Sequence, residues 1–300
     1  MAFRCVGIGE VLWDVLPGGR QLGGAPLNFA YHSGELGARA AIVSRVGDDE
    51  PGRALLARMR ELGVPVEAVE IDAEAPTSTV TVSVGPKGDA AYAIHENVAW
   101  DLLAGEPAAR AVVAAADAVC FGSLAQRHPV ARRSIGELLD LVRPRALRVF
   151  DVNLRQHYHS PEIITQSLAR ANVLKVNETE LPQLGAWFGL PAEERAAIAS
   201  LAERHALRAV VYTRGERGSL VLADGTWCDH PGRKVEAVDT VGAGDSFTAA
   251  FALGLLHRWP LPVVVERATA VSAFVCTQAG ATPRLPEELT APFRADDTTG

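Results

Sequence analysis

The chain has 300 residues, 48% of them hydrophobic, enough to bury a substantial core as one large α/β domain or two small ones. Its 36 acidic against 29 basic residues leave a formal charge of -7, which argues against a nucleic-acid or anionic-membrane surface and makes a small molecule the expected ligand. Four scattered cysteines, Cys5, Cys120, Cys228 and Cys276, lack zinc-ligand spacing and read as small buried residues of a reducing compartment.

Residues 5–9 (Cys-Val-Gly-Ile-Gly) read as a short buried strand, continued by an extended segment into a turn at Pro17-Gly18-Gly19. Glu10 and Asp14 interrupt this first apolar stretch, and no run of about 18 charge-free apolar residues occurs, so a cytoplasmic location is expected. Gly7 and Gly9 begin a glycine pattern, but Leu12 stands where a dinucleotide fingerprint needs its third glycine. Gly23-Gly24-Ala25-Pro26-Leu27-Asn28 then opens a helix through residue 36, with Pro26 in its first turn and Gly37 as its stop. The diglycine permits close backbone approach to a ligand, and Asn28 is either a hydroxyl-binding side chain or a cap. A strand at 40–46, a helix at 51–62 and a strand at 66–71 give a βαβ rhythm, hence a largely parallel sheet covered on both faces.

Residues 77–84 break that rhythm. Val80, Val82 and Val84 alternate with Thr79, Thr81 and Ser83, which predicts a half-exposed strand in a hairpin with 90–94 across a turn at Gly85-Pro86-Lys87-Gly88. The extended segment 11–16 is its expected partner. Alternation resumes with helices at 107–116 and 129–142 and strands at 118–121 and 147–150. Asp151-Val152-Asn153-Leu154-Arg155 follows at a strand's carboxyl end, where parallel sheets line their ligand crevice, and Arg155 is a ligand contact or a structural salt bridge. His157 and His159 have no third ligand nearby and read as surface histidines. A strand at 173–176 runs into Asn177-Glu178-Thr179-Glu180, whose plain reading is a helix cap with acidic first-turn residues. A helix near 192–205 and a strand at 209–212 precede Thr213-Arg214-Gly215-Glu216-Arg217-Gly218, by itself a tight hairpin, and 220–222 with 226–228 form an antiparallel edge. A last helix spans about 263–278.

Between that edge and the last helix lies Asp239-Thr240-Val241-Gly242-Ala243-Gly244-Asp245-Ser246-Phe247. Three small residues let the backbone turn tightly with its amides outward, and 246–256 continues as a helix, so the amides converge at a helix N-terminus and attract anions. A carboxylate at Asp245 would repel a resting phosphate, but it makes sense as a base. It can take the proton of a hydroxyl while the amides of Gly242, Ala243 and Gly244 stabilise charge on the phosphoryl group under attack. The plainer reading is a glycine-rich helix start with a capping Asp. No Walker A motif is present.

Five signatures follow one another: G-G-x-x-x-N at 23–28, D-x-N-x-R at 151–155, N-x-x-E at 177–180, T-x-G-x-x-G at 213–218 and D-T-x-G-A-G-D at 239–245. With these the chain resembles the ribokinase-like (PfkB) carbohydrate kinases from about Cys5 to Ala281, and its G-E-V-L-W-D and L-G-G-A-P-L-N-F-A segments are most similar to the fructokinase branch. The resemblance implies one α/β domain over residues 1–300, a three-layer ribokinase-like fold with a mostly parallel central sheet flanked by helices. A small β-sheet lid from about 11–20 and 76–96 is inserted in it. The implied activity is transfer of the γ-phosphoryl of MgATP to a primary hydroxyl of a small sugar, fructose first, giving fructose 6-phosphate. The alternatives are 2-keto-3-deoxygluconate or another sugar of the family, or a non-catalytic sugar- or nucleotide-binding regulator.

By the same resemblance, Asp14, Gly23, Gly24, Asn28 and Arg155 bind sugar, and Asn177, Thr213, Gly215, Gly218 and Gly244 bind ATP. Glu180 places Mg²⁺ through water, as suits an ion that keeps its hydration shell, while Asp239 and the Val241 carbonyl hold K⁺ behind the anion hole. Gly280-Ala281 resembles the closing segment beside the adenine and cation sites. Thr269 departs from the pattern, standing where many members carry Asn near the adenine. The implied partners are the sugar, ATP and a second copy of the chain, joined through the lid.

Overall fold

The computed structural model describes residues 2–16, 18–84 and 90–294; Pro17 and the turn expected at Gly85-Pro86-Lys87-Gly88 lie outside them. The chain begins with β1 (Arg4–Ile8), β2 (Leu12–Leu16), β3 (Gly19–Gly23), α1 (Ala25–Glu35), β4 (Arg39–Gly47), α2 (Glu50–Glu61) and β5 (Val69–Asp72). The period-two stretch forms β6 (Thr79–Val84) and β7 (Ala90–Ile94). Then come α3 (Pro107–Ala114), β8 (Ala118–Phe121), α4 (Pro129–Asp140), β9 (Leu147–Asp151), α5 (Pro161–Leu168) and β10 (Val173–Asn177). They are followed by α6 (Glu180–Phe188), α7 (Glu194–Arg204), β11 (Ala209–Thr213), β12 (Ser219–Ala223) and β13 (Thr226–His230). The last helices are α8 (Ala243–Leu256), α9 (Leu261–Cys276) and α10 (Glu287–Arg294).

The central strands are apolar on both faces, and their period of two divides them between two cores. Cys5, Cys120, Val149 and Val211 pack with Phe29 of α1, Phe251 of α8 and Val271 of α9. Val6, Phe121, Phe150 and Val210 pack on the opposite side with Val113, Ile135, Leu138 and Leu201 of α3, α4 and α7. The result is the expected three-layer α/β architecture. Its nine strands lie in the order β13-β12-β11-β10-β9-β8-β1-β4-β5. Pairing is parallel from β11 to β5 and antiparallel only at the β12–β13 edge. Because β1, β8, β9, β10 and β11 are neighbours, the polar residues at their carboxyl ends fall along one edge of the sheet.

A second sheet has the order β3-β2-β6-β7, with β2 beside β6 as expected, the two strands running parallel (Trp13 beside Thr79). It extends further than its expected limit near residue 20, because residues 19–23 form β3 and pair with β2 through Gly23 opposite Leu12. Trp13 Nε1 donates to the Pro51 carbonyl at 2.9 Å, tying this sheet to α2. The strand expected at 66–71 starts only at Val69. Pro65 has no amide to give a ladder, and the Val69 amide closes a turn onto the Val66 carbonyl. Helix α6 follows the cap read at Asn177 to Glu180, whereas α5 and α10 were not anticipated, so the helix near 263–278 is not the last. Cys5 and Cys120 are buried as expected, whereas Cys228 and Cys276 are only partly covered.

Candidate functional site

Two helix N-termini meet at the carboxyl edge of the main sheet. Gly242 starts α8 in the left-handed region (φ 78°), where a Cβ would run into the Ala281 backbone. Helix α8 thus begins at Ala243, earlier than expected, and Asp245 falls in its first turn. Facing it, α1 starts after Gly24 (φ 118°), where a Cβ would strike the Glu10 carbonyl. The buried Asn28 of α1 donates from Nδ2 to Asp245 Oδ2 at 2.8 Å. Behind them, Lys175 of β10 and Asp151 of β9 form a buried pair, Nζ to Oδ1 at 3.0 Å, and the Thr248 hydroxyl lies 3.2 Å from Asp151 Oδ2. A Cβ at Gly244 would sit 3.1 Å from Lys175 Nζ, so the glycine leaves room for this ammonium beside the α8 amides.

Electrostatics follow from that crowding. Burial, reinforced by Asp151, pushes Asp245 up to about 6, against the opposing pull of Asn28, Lys175 and Arg155. Burial raises Glu10 to about 7, with Asp245 adding to it and backbone amides and Arg155 opposing. Asp14 rises to about 6 through burial, again opposed by Arg155. Burial alone would depress Lys175, but Asp151, Glu180 and Asp245 outweigh it and carry the ammonium up to about 12. Arg155 itself is exposed, its guanidinium held by Asn153 Oδ1 and the Leu154 carbonyl rather than by an acidic side chain.

These groups line one cleft of about 860 Å³. Asp14, Gly23, Gly24, Asn28 and Arg155 share it with Lys175, Asn177, Asp239, Val241, Gly242, Gly244 and Asp245. Gly23 belongs there because a Cβ would collide with the Asp14 carboxylate across the hairpin. Of the three α8-start amides, that of Ala243 turns back on the Thr240 carbonyl at 3.3 Å. Thr213, Gly215 and Gly218 are not in the lining. Thr213 pairs with Asn177 one strand along, Gly215 packs beneath Glu178, and a Cβ at Gly218 would collide with the His230 carbonyl.

Asn177 and Glu180 form a reciprocal cap: Asn177 Oδ1 accepts from the Glu180 amide at 3.0 Å and Glu180 Oε2 from the Asn177 amide at 2.9 Å. Glu180 Oε1 also accepts from the Leu154 amide at 3.1 Å, so the carboxylate sits buried behind the cleft and orders two of its loops. Each oxygen keeps a lone pair, which fits an outer-shell role toward a hydrated cation. Among the described residues no group of three or more acidic, His or Cys side chains forms a metal cage. Asp239 accepts from the amides of Val241 and Gly280, both at 3.0 Å, latching the two loops implied for K⁺. His32 fixes the same segment. Burial lowers it to about 4, so the neutral ring donates from Nε2 to the Ala281 carbonyl at 2.8 Å.

Two charged lining residues carry no functional signal in the sequence motifs. Glu10 follows β1 at a strand carboxyl end, the position rule already applied to Asp151, and Lys175 is a lone charge inside the apolar run Val173-Leu174-Lys175-Val176. Thr269 is buried in α9 with its hydroxyl unpartnered. His157 is exposed as expected, but His159 is half-buried with its ring 5.4 Å from that of Trp187. No helix among the described residues is long and apolar enough to cross a membrane.

Comparison with known proteins gives a match to the model of the pfkB family of carbohydrate kinases over residues 14–288. Fructokinase-1 of Oryza sativa is 30% identical over 95% of this chain and 95% of its own. The crystal structure of a Xylella fastidiosa fructokinase with bound ATP superposes with a TM-score of 0.83 at 20% identity, covering 99% of each chain. A Vibrio cholerae fructokinase double mutant, crystallised with fructose, ADP and potassium, gives a TM-score of 0.78 at 22% identity over 96% of this chain and 97% of that one.

Proposed function

The chain belongs to the PfkB family of carbohydrate kinases, and we propose that it transfers the γ-phosphoryl group of ATP to a primary hydroxyl of fructose, giving fructose 6-phosphate and ADP. The coarser activity, phosphotransfer to a sugar hydroxyl, comes with the family. The observation that carries the finer reading is Asp245, buried in the first turn of α8 and 2.8 Å from Asn28 in a cleft that also holds Asp14 and Arg155. The Vibrio fructokinase's fructose, ADP and potassium support the same ligand set here.

In this reading Asn28, Asp14 and Arg155 hold the sugar, with the backbone at Gly23 and Gly24 close against it. Asp245 accepts the proton of the attacking hydroxyl; pushed up to about 6, it is a stronger base than an ordinary aspartate yet remains ionised at neutral pH. The amides of Gly242 and Gly244, at the positive end of α8, stabilise the phosphoryl group in transit, while that of Ala243 is given to the Thr240 carbonyl. Lys175, fixed by Asp151, adds a buried positive charge beside Gly244. Asn177, Thr213, Gly215 and Gly218 are assigned to ATP. Glu180 would hold Mg²⁺ through water, the metal supplying neutralisation of the phosphate oxygens, and Asp239 with the Val241 carbonyl would hold K⁺. The β3-β2-β6-β7 sheet is assigned as the lid that excludes water.

The test is ADP release with MgATP and K⁺ across fructose, glucose, ribose, 2-keto-3-deoxygluconate and adenosine. Fructose is expected to give the highest kcat/KM. Preference for another sugar would replace the substrate, and no turnover of any of them by folded protein would overturn the reading.

A further inference from the structure

The sugar end of the cleft carries more acid than the base and Asp14 account for. Glu10, just beyond β1, is 4% exposed and lines the cleft, and its Oε2 is buried with no hydrogen-bond partner in the protein. A buried carboxylate oxygen without a donor is costly, and it is satisfied when a bound molecule brings one. Glu10 feels both Asp245 and Arg155, and Asp14 feels the same guanidinium, so three carboxylates surround one exposed cation. The other cation among the described lining residues, Lys175, is committed to Asp151.

We infer that Glu10, with Asp14, makes this subsite selective for an uncharged polyhydroxy sugar and against a carboxylated one, the free Glu10 oxygen accepting from a substrate hydroxyl. The inference rests on the sugar-kinase reading and deepens it. A neutral sugar offers hydroxyl donors to Glu10 and Asp14. A sugar acid has fewer such donors and sets a negative charge among Glu10, Asp14 and Asp245, with Arg155 as the only uncommitted counter-charge among the described lining residues. Discrimination of this kind comes from the repulsive element as much as from the attractive one.

The experiment compares kcat and KM for the best neutral sugar and for 2-keto-3-deoxygluconate, in the wild type and Glu10→Gln, at about pH 8.5, where groups raised to about 6 and 7 are ionised. The wild type is expected to favour the neutral sugar by about 100-fold or more in kcat/KM. Glu10→Gln should raise KM for the neutral sugar without a comparable loss of kcat, and shrink that preference by about tenfold. Equal losses for both substrates would reduce Glu10 to a structural role and overturn the inference, as would a wild type that uses the keto acid equally well. If Glu10→Gln does not fold, the wild type still decides. Its preference for the neutral sugar should widen from about pH 6 to 8.5 as Glu10, Asp14 and Asp245 ionise beside Arg155, Lys175 and Asp151, and a constant ratio would refute the proposal. ADP from no sugar at all would instead remove the kinase reading itself.

Discussion

Asp245 and Lys175 show how single side chains carry opposing demands. A base raised to about 6 must be ionised to work, so kcat/KM is expected to fall about tenfold per pH unit below pH 6, as a pH–rate profile would show. The same shift has a stability consequence of opposite sign. Because the folded pKa lies above the ordinary aspartate value, the contribution of Asp245 to stability is fully present below about pH 4 and is lost as pH rises through 6. Asp245→Asn should therefore melt higher than the wild type at pH 7 to 8 and level with it near pH 3.5. Lys175→Met removes one partner of a buried pair and leaves Asp151 uncompensated, an expected loss of about 3–5 kcal/mol in urea denaturation. Any folded remainder should titrate its acid limb at higher pH, since Lys175 helps hold Asp245 down. Gly-Ala-Gly-Asp by itself allows the proposed base beside a plainer helix cap, and Asn28 by itself a hydroxyl-binding side chain or a cap; that the two touch across 217 residues of sequence is encoded by no local pattern.

At the scale of elements, the start of α8 depends on a left-handed Gly242 set against Ala281. Gly242→Ala combines a disfavoured φ with a backbone collision, an expected cost of about 1–3 kcal/mol in thermal melts. Because the α8 amides would shift, kcat should fall further than stability alone predicts, by about 10²-fold. Gly244→Ala meets only the end of a lysine side chain and should be milder in both respects. The strands and most helices were readable because period two and the glycine and proline stops are local signals. What stayed hidden was structure made by pairing: β3, whose Gly-Arg-Gln-Leu-Gly becomes a strand only against β2, and α5, whose Ser160 cap on the Ile163 amide was passed over. The motif at Asn177 to Glu180 held two readings in sequence. The reciprocal cap satisfies the plain one and leaves lone pairs for the other.

Across the whole molecule, the small sheet is anchored to the body at both ends, by Trp13 on Pro51 and by the Tyr158 hydroxyl donating to the Ile94 carbonyl at 3.1 Å. Tyr158 also follows Arg155 on the same loop, its amide donating to the Arg155 carbonyl at 3.0 Å, so the proposed lid and the proposed sugar-binding arginine share a tether. Tyr158→Phe is expected to raise the sugar KM several-fold and speed hydrogen exchange in β7 while costing only about 1 kcal/mol of stability. The three-layer architecture was legible because the strands are apolar on both faces; the crowding of carboxylates at one sheet edge was not, since it depends on strand order. All of this geometry converges on Asp245 as the proposed base of a sugar phosphotransfer. Its most direct test is kcat for Asp245→Asn with fructose and MgATP, beside the fructose Kd of the same variant by calorimetry. With Asp245 as base, kcat falls by about 10²-fold or more while Kd changes only a few-fold. A variant that turns over at the wild-type rate would contradict it.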